Sequence, residues 1–125
     1  MNTQITEDYV SFEVAKLLKE NGYKGSFNCY YNNAGCVVDK PNTFLKEPEY
    51  QYYERVSFYM AMKWLREDHH IHILPQISDP SQVNPKYYIV IWTTGPKRES
   101  YILELFNSYE EAVEEGIKYC LEDLV

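Results

Sequence analysis

The sequence predicts an α+β fold, a two-layer sandwich in which an antiparallel sheet carries helices on one face, with element order α-β-β-α-β-β-β-α. Two changes in hydrophobic periodicity support this class. The apolar spacing falls from about 3.6 to about 2 residues after Asp68 and returns to the helical value at Ser108. Short loops between the intervening strands favour antiparallel pairing. At 125 residues, the chain is expected to form one domain over residues 1–125.

The first helix is expected over Glu7–Asn21. Thr6 is the expected N-cap, because its hydroxyl is suited to accept a backbone N–H of the first turn. Ile5 and Val10 would form a hydrophobic staple around that cap. Gly22 ends the helix, since glycine tolerates the left-handed conformation that closes a last turn.

Two short strands are predicted in the segments SFNCYYN and CVVD, on either side of the turn-forming residues 32–35. Pro41 and Pro48 then bracket a polar loop. A second helix is predicted from about Glu54 to Asp68. Its apolar side chains cover more than half of its circumference, which predicts a central helix packed on more than one side, with Trp64 in the core. These side chains are Phe58, Met60, Ala61, Met62, Trp64 and Leu65.

Three strands follow, in the segments HIHILPQI, YYIVIWTT and SYILELF. The first alternates, with Ile71 and Ile73 on one face. The second is a nearly continuous apolar run, which predicts a central strand buried on both faces. The third alternates again and should direct three side chains to one side, those of Tyr101, Leu103 and Leu105. Gly95-Pro96 predicts a hairpin turn between the last two strands.

The last helix has the clearest boundaries. Ser108 and Glu111 have the spacing of a capping box, which starts the helix. A stripe at helical spacing is expected to face the core. It consists of Val113, Gly116, Ile117, Cys120, Leu121 and Leu124. Four acidic side chains share the opposite side, namely Glu114, Glu115, Glu122 and Asp123.

The formal net charge of −7 excludes some functions and favours others. An acidic surface repels nucleic-acid phosphates, so a nucleic-acid partner is not expected. No apolar run reaches the about 20 residues of a membrane span, so no membrane partner is expected. The N-terminus lacks a secretory signal, which predicts a cytoplasmic protein. Cys29, Cys36 and Cys120 are accordingly expected to be reduced thiols.

Histidine supplies the only candidate metal site. His70 and His72 lie two residues apart on a predicted strand and would share a face, although the pattern does not supply a third ligand. A metal-binding protein or metal-dependent enzyme built on this pair is one alternative function. The sequence contains no nucleophile elbow, phosphate-binding loop or dinucleotide motif. We therefore expect a non-catalytic protein with no cofactor.

Tyrosine is over-represented, with 13 residues. Adjacent tyrosines on a strand point to opposite faces, so one of each pair tends towards the surface, where tyrosine suits protein interfaces. Candidate interaction residues are Tyr30, Tyr31, Tyr52, Tyr53, Glu114 and Glu115. The predicted function is therefore a protein-interaction module whose partner is a protein, either a basic one or a second copy of this chain. Mimicry of nucleic-acid charge by the last helix, which would inhibit a host enzyme, is a further alternative.

Three segments together resemble a known family: YVSFEVAKLLKENGY, MAMKWLREDHHIHI and SYEEAVEEGIKYCLEDL. They are similar to small uncharacterised proteins of gut Bacteroides-type genomes, prophages and mobile elements. The resemblance covers most of the chain and is weakest from Asp39 to Tyr53. It implies an intracellular accessory protein of a phage or mobile element, and it assigns no functional residue.

Overall fold

Three helices and six strands form the fold in the computed structural model, which describes residues 8–24, 29–32, 34–39 and 53–125. The elements are α1 (Phe12–Glu20), β1 (Cys29–Tyr31), β2 (Val37–Asp39), β3 (Tyr53–Glu54), α2 (Phe58–His69), β4 (Ile71–Ile77), β5 (Tyr87–Thr93), β6 (Glu99–Phe106), α3 (Tyr109–Tyr119) and a π-helical turn (Cys120–Leu124). The predicted α+β class and element order are confirmed, and the two-residue β3 is an addition to the prediction. All described strand pairs are antiparallel, in sheets ordered β2-β1-β3 and β4-β5-β6.

The predicted start of the first helix at Glu7 is wrong. Ser11 is the N-cap of α1, and its hydroxyl accepts the Val14 N–H at 3.3 Å. The residues before it are extended, because the Val10 N–H donates to the Val56 carbonyl at 2.8 Å. Val10 is completely buried in this extended arrangement. Ile5 and Thr6 lie outside the described residues.

The end of α1 agrees with the prediction. Asn21 is the C-cap, and Gly22 has a φ of 92°, in the left-handed region that glycine adopts without strain. The Tyr23 N–H then donates to the Leu18 carbonyl at 2.9 Å. This hydrogen bond closes the last turn of α1.

The second helix starts four residues later than predicted. Ser57 is its N-cap and accepts the Met60 N–H at 3.2 Å, while Glu54 belongs to β3. The expectation of packing on more than one side is confirmed in part: α2 contacts both β4 and α3, but its fully buried sector is narrower than predicted. Met60 is 42% exposed and Trp64 is only partly buried. The buried side of α2 is a single stripe of Phe58, Ala61 and Leu65.

In the second sheet, β5 is the central strand, as predicted, but it is buried on one face only. Ile89 and Ile91 are fully buried in the core, whereas Trp92 is 45% exposed. The reason is that α2 and α3 both pack on the same face of this sheet. The predicted burial of both faces is therefore wrong.

Strand β6 begins with the predicted alternation and then departs from it. Leu103 pairs with Ile89, but the register shifts between Tyr87 and Ile89, so that Phe106 lies opposite Tyr87. Phe106 is packed against the core, and Leu105 is 54% exposed. The prediction that Leu105 points to the same side as Tyr101 and Leu103 is wrong, because one extra residue in β6 reverses the facing of its last residues.

The last helix confirms its predicted cap and stripe. The Ser108 hydroxyl accepts the Glu111 N–H at 3.1 Å, and Ile117 is fully buried. Gly116 faces the sheet, where an added Cβ would lie 3.2 Å from the Ile89 Cγ2 atom. Glycine therefore permits the close approach of α3 to β5. A membrane span needs a longer and more apolar helix than any found in the described part of the chain.

The burial of the two isoleucines Ile117 and Ile102 predicts very different stability effects. Ile117 is fully buried and Ile102 is 60% exposed. Ile117→Ala should lower the free energy of unfolding by about 2–5 kcal/mol, because it removes buried methyl groups and leaves a cavity. Ile102→Ala should change it by less than about 0.5 kcal/mol. Urea denaturation of both variants measures the difference, and equal effects would contradict the assigned core.

Candidate functional site

The face of sheet β4-β5-β6 opposite the helices is an exposed apolar surface. Leu74 is 43% exposed, Trp92 is 45% exposed and Ile102 is 60% exposed. Single exposed apolar side chains are ordinary in globular proteins, whereas a contiguous group of them marks interaction sites. We refer to this surface as the open face; it consists of His72, Leu74, Val90, Trp92, Ser100 and Ile102.

The strand register brings these side chains together. Leu74 lies opposite Val90, and Val90 lies opposite Ile102, which forms an apolar row across all three strands. His72 lies opposite Trp92 in the neighbouring row. Residues directly opposite on one face have Cβ atoms about 4.5–5.5 Å apart, close enough for their side chains to touch. The open face is thus continuous.

An acidic depression borders the open face along β6. It has a volume of about 450 Å³ and extends from Ile102 to α3. Its carboxylates come from Glu104, Glu115, Glu122 and Asp123, together with one cation, Lys118. The Lys118 ammonium lies 3.0 Å from a Glu13 carboxylate oxygen and 3.9 Å from one of Glu122. The hydrogen bond to Glu13 raises the pKa of Lys118. The depression therefore keeps an excess of negative charge.

A second depression borders the open face along β4. It has a volume of about 280 Å³ and lies between α2 and β4. Tyr59 and Arg66 form its helix side, and His72 and Leu74 form its sheet side. Tyr59 is 62% exposed. The apolar surface therefore continues from the open face onto α2.

The predicted tyrosine sites are divided between the interior and a separate cavity. The Tyr31 hydroxyl donates to the Val10 carbonyl at 2.7 Å. Tyr53 is buried, and its ring makes an edge contact with Phe12 at a centroid distance of 5.6 Å. Both side chains therefore belong to the fold. Tyr52 lies outside the described residues.

Tyr30 lines a cavity of about 430 Å³ between the end of α1 and β3. Glu54 lies opposite Tyr30 in the β1-β3 register and lines the same cavity. Burial raises the pKa of Glu54, although a hydrogen bond with Tyr23 opposes that change. Burial, followed by the charge of Glu54, raises the pKa of both Tyr23 and Tyr30. The carboxyl group and the two phenols thus line one cavity, and partial burial raises the pKa of all three.

The histidines do not form the predicted pair on one strand face. His70 is the C-cap of α2, with a φ of 57° in the left-handed region, and precedes β4. Its carbonyl accepts the Thr94 N–H at 3.0 Å. His72 lies on the open face, and His69 stacks edge-on with Trp64 at 4.5 Å. Within the described ranges, no group of three or more His, Cys, Asp or Glu residues is placed to hold a metal ion.

The thiol of Cys120 is structural. Cys120 is fully buried beside Leu121, and burial raises its pKa to about 12. A buried thiol held in the protonated form is a poor nucleophile. Cys36 is an exposed free cysteine. The structure therefore brings neither thiol to a described cavity.

The two acidic candidates on α3 have different surroundings. The carboxylate oxygens of Glu114 accept the Ser11 N–H at 3.0 and 3.3 Å, which attaches α3 to the N-terminus of α1. Glu115 is exposed and lines the acidic depression. Glu115 is thus available for a partner, whereas Glu114 serves the packing of two helices.

Sequence reasoning missed the open face itself. The apolar residues of β4, β5 and β6 all carry a core signal, and nothing local distinguishes Val90 from Ile89. One available signal was the predicted placement of the helices on one face, because that arrangement leaves the opposite face bare. No protein-family model, curated protein or solved structure matches the chain.

The contact between Glu114 and α1 can be tested against its neighbour. Glu114→Ala should lower the free energy of unfolding by about 1 kcal/mol, because it removes a charged acceptor from the positive end of α1. The matched control Glu115→Ala removes an exposed carboxylate and should change stability by less than about 0.5 kcal/mol. Thermal unfolding at low salt measures both, and an equal loss would show that Glu114 has no special role.

The raised pKa of Glu54 predicts a pH-dependent effect. The folded protein favours the protonated carboxyl, so this group reduces stability as the pH rises through its unfolded pKa and its higher folded pKa. The stability of Glu54→Gln relative to wild type should therefore increase between about pH 3 and about pH 7. Urea denaturation at several pH values measures this difference. Glu20→Gln, which removes an exposed carboxyl from α1, is the control, and an equal slope for both variants would contradict the prediction.

Proposed function

We propose that this protein is a non-catalytic interaction module that binds a protein partner through the open face. The single observation that carries the proposal is the apolar row across three strands, in which Leu74 and Ile102 remain exposed. Covering such a surface removes apolar area from water, which is the main driving force of association. Trp92, beside this row, is the type of residue that contributes most at interfaces.

The charges around the open face favour a basic partner. Glu104, Glu115 and Asp123 line the depression beside Ile102, and the whole chain has a net charge of −7. Complementary charge at the rim of an apolar contact steers association and suppresses wrong partners. The occupant we propose is therefore a protein whose contact surface has an apolar centre and a basic edge. Two copies of this chain would bring acidic rims together, which opposes self-association.

The other candidate functions receive less support. The histidine pair His70 and His72 is separated by its local structure, and Glu114 is engaged by α1 within the molecule. Both observations reduce the residues available for metal binding and for charge mimicry. A prophage or mobile-element accessory role, as the family resemblance implies, is compatible with an interaction module and is part of the proposal.

Photo-crosslinking in the producing cell tests the site of binding. The photo-reactive residue p-benzoylphenylalanine is placed at Trp92 on the open face and, as a control, at Val83. Val83 is 94% exposed in the loop between β4 and β5. The proposal predicts that one partner protein is the dominant crosslinked product from position 92 and that this protein is not crosslinked from position 83. Crosslinking of this chain to itself would instead identify a homodimer.

The purified partner then allows a quantitative test. Ile102→Lys should weaken its binding at least about tenfold, because a charge enters the apolar row. Val83→Lys adds the same charge to another exposed aliphatic position and should leave the affinity unchanged. The association rate should also fall with added salt, since exposed charges are screened. Equal affinities of the two variants would refute binding through the open face.

A further inference from the structure

The cavity between α1 and β3 has the dimensions and lining of a small-molecule site. Its volume of about 430 Å³ falls within the range of about 300–1,000 Å³ that is typical of ligand pockets. Ala15, Leu18 and Val56 form an apolar wall, and all three are part of the buried core. Such pockets combine an apolar wall with a few polar groups that orient the ligand.

Glu54 is the acidic residue that lines the cavity beside this apolar wall. Its Oε1 atom is shielded from solvent and lacks a hydrogen-bond donor among the described residues. The Tyr23 hydroxyl forms a hydrogen bond with the carboxyl group. A carboxylate that is short of donors in an apolar setting is unfavourable, and a cationic donor relieves this cost most effectively.

Two aromatic rings stand beside the carboxyl group. Tyr30 is its cross-strand neighbour, and Tyr23 lines the same cavity. The Tyr23 ring is supported by an edge contact with Trp64 at 5.6 Å. Aromatic faces attract ammonium groups, and the attraction grows when water is excluded. A carboxylate with two phenol rings therefore favours a cation.

Two lysines also line the cavity, and both are exposed at its rim. The Lys19 ammonium lies 4.9 Å from the centroid of the Tyr53 ring, and Lys24 follows Tyr23 towards solvent. Water and salt screen charges at the rim more strongly than the charge of Glu54 inside. The lysines thus disfavour ligands with more than one positive charge.

From this arrangement we propose that the cavity binds a small primary amine with an apolar tail. The ammonium group is held by the Glu54 carboxylate and the rings of Tyr23 and Tyr30. The tail lies against Ala15, Leu18 and Val56. This site is separate from the open face, and it would allow a metabolite amine to bind without competing with a protein partner.

Three probes of equal chain length distinguish the head group: hexylammonium, 1-hexanol and hexanoate. Each is titrated into ¹⁵N-labelled full-length protein at neutral pH, and amide shifts are followed by NMR. Hexylammonium should shift the amides around Leu18 and Val56 and should bind at least about tenfold tighter than 1-hexanol. Hexanoate should bind most weakly. Equal binding of the three probes, or shifts elsewhere in the molecule, would overturn the proposal.

A variant pair and a pH series complete the test. Glu54→Gln should weaken hexylammonium binding about tenfold and leave 1-hexanol binding unchanged, whereas Glu20→Gln on the exposed side of α1 should alter neither. Wild-type affinity for hexylammonium should also rise from about pH 4 to about pH 7 as Glu54 ionises. The other ionisable groups that line the cavity are Tyr23, Tyr30, Lys19 and Lys24, and burial raises the pKa of both tyrosines away from this range. An unchanged affinity in either series would refute the role of Glu54, and the pH series decides even if the variant folds poorly.

Discussion

The close packing of α3 on β5 is the contact on which the arrangement of the helices and the second sheet depends. Gly116 has no side chain, so the helix approaches Ile89 and Ile73 directly, and an added Cβ would meet their methyl groups at 3.2 and 3.4 Å. The same helix buries Val113 and Ile117 completely. With α3 in this position and α2 beside it, one face of sheet β4-β5-β6 is filled, and α1 packs on α3 and β3.

The open face is exposed because all three described helices pack elsewhere. A sheet of three strands has two faces, and α1 is engaged with the first sheet and with α3 instead of the second face. The apolar side chains of Leu74 and Ile102 therefore remain exposed on a face that no described helix covers. On the proposed function, the partner supplies the missing layer. The cavity at Glu54 lies at the C-terminal end of the same helix, α1.

Much of the fold could be predicted because its signals are local. The cap at Ser108, the stop at Gly22 and the three strands each depend on a few neighbouring residues. The starts of α1 and α2 could not be predicted, because Val10 pairs with Val56 across the chain and thereby selects Ser11 and Ser57 as caps. The predicted placement of the helices on one face indicates a bare face opposite them, but the residues that meet in either site depend on strand register, which places Trp92 beside His72 and Glu54 beside Tyr30.

The charges of α3 are divided between the packing of the fold and the border of the open face. On the side of α3 that faces α1, Glu114 accepts the Ser11 N–H and Lys118 forms an ion pair with Glu13. These two groups therefore stabilise the packing of α3 on α1. Towards β6, α3 leaves Glu115 and Asp123 beside the open face. On the proposed function, the negative charges at this border would repel a second copy of the chain and attract a basic protein. The proposed selectivity therefore depends on the acidic border, which would disfavour association of two apolar rows and favour a partner of opposite charge.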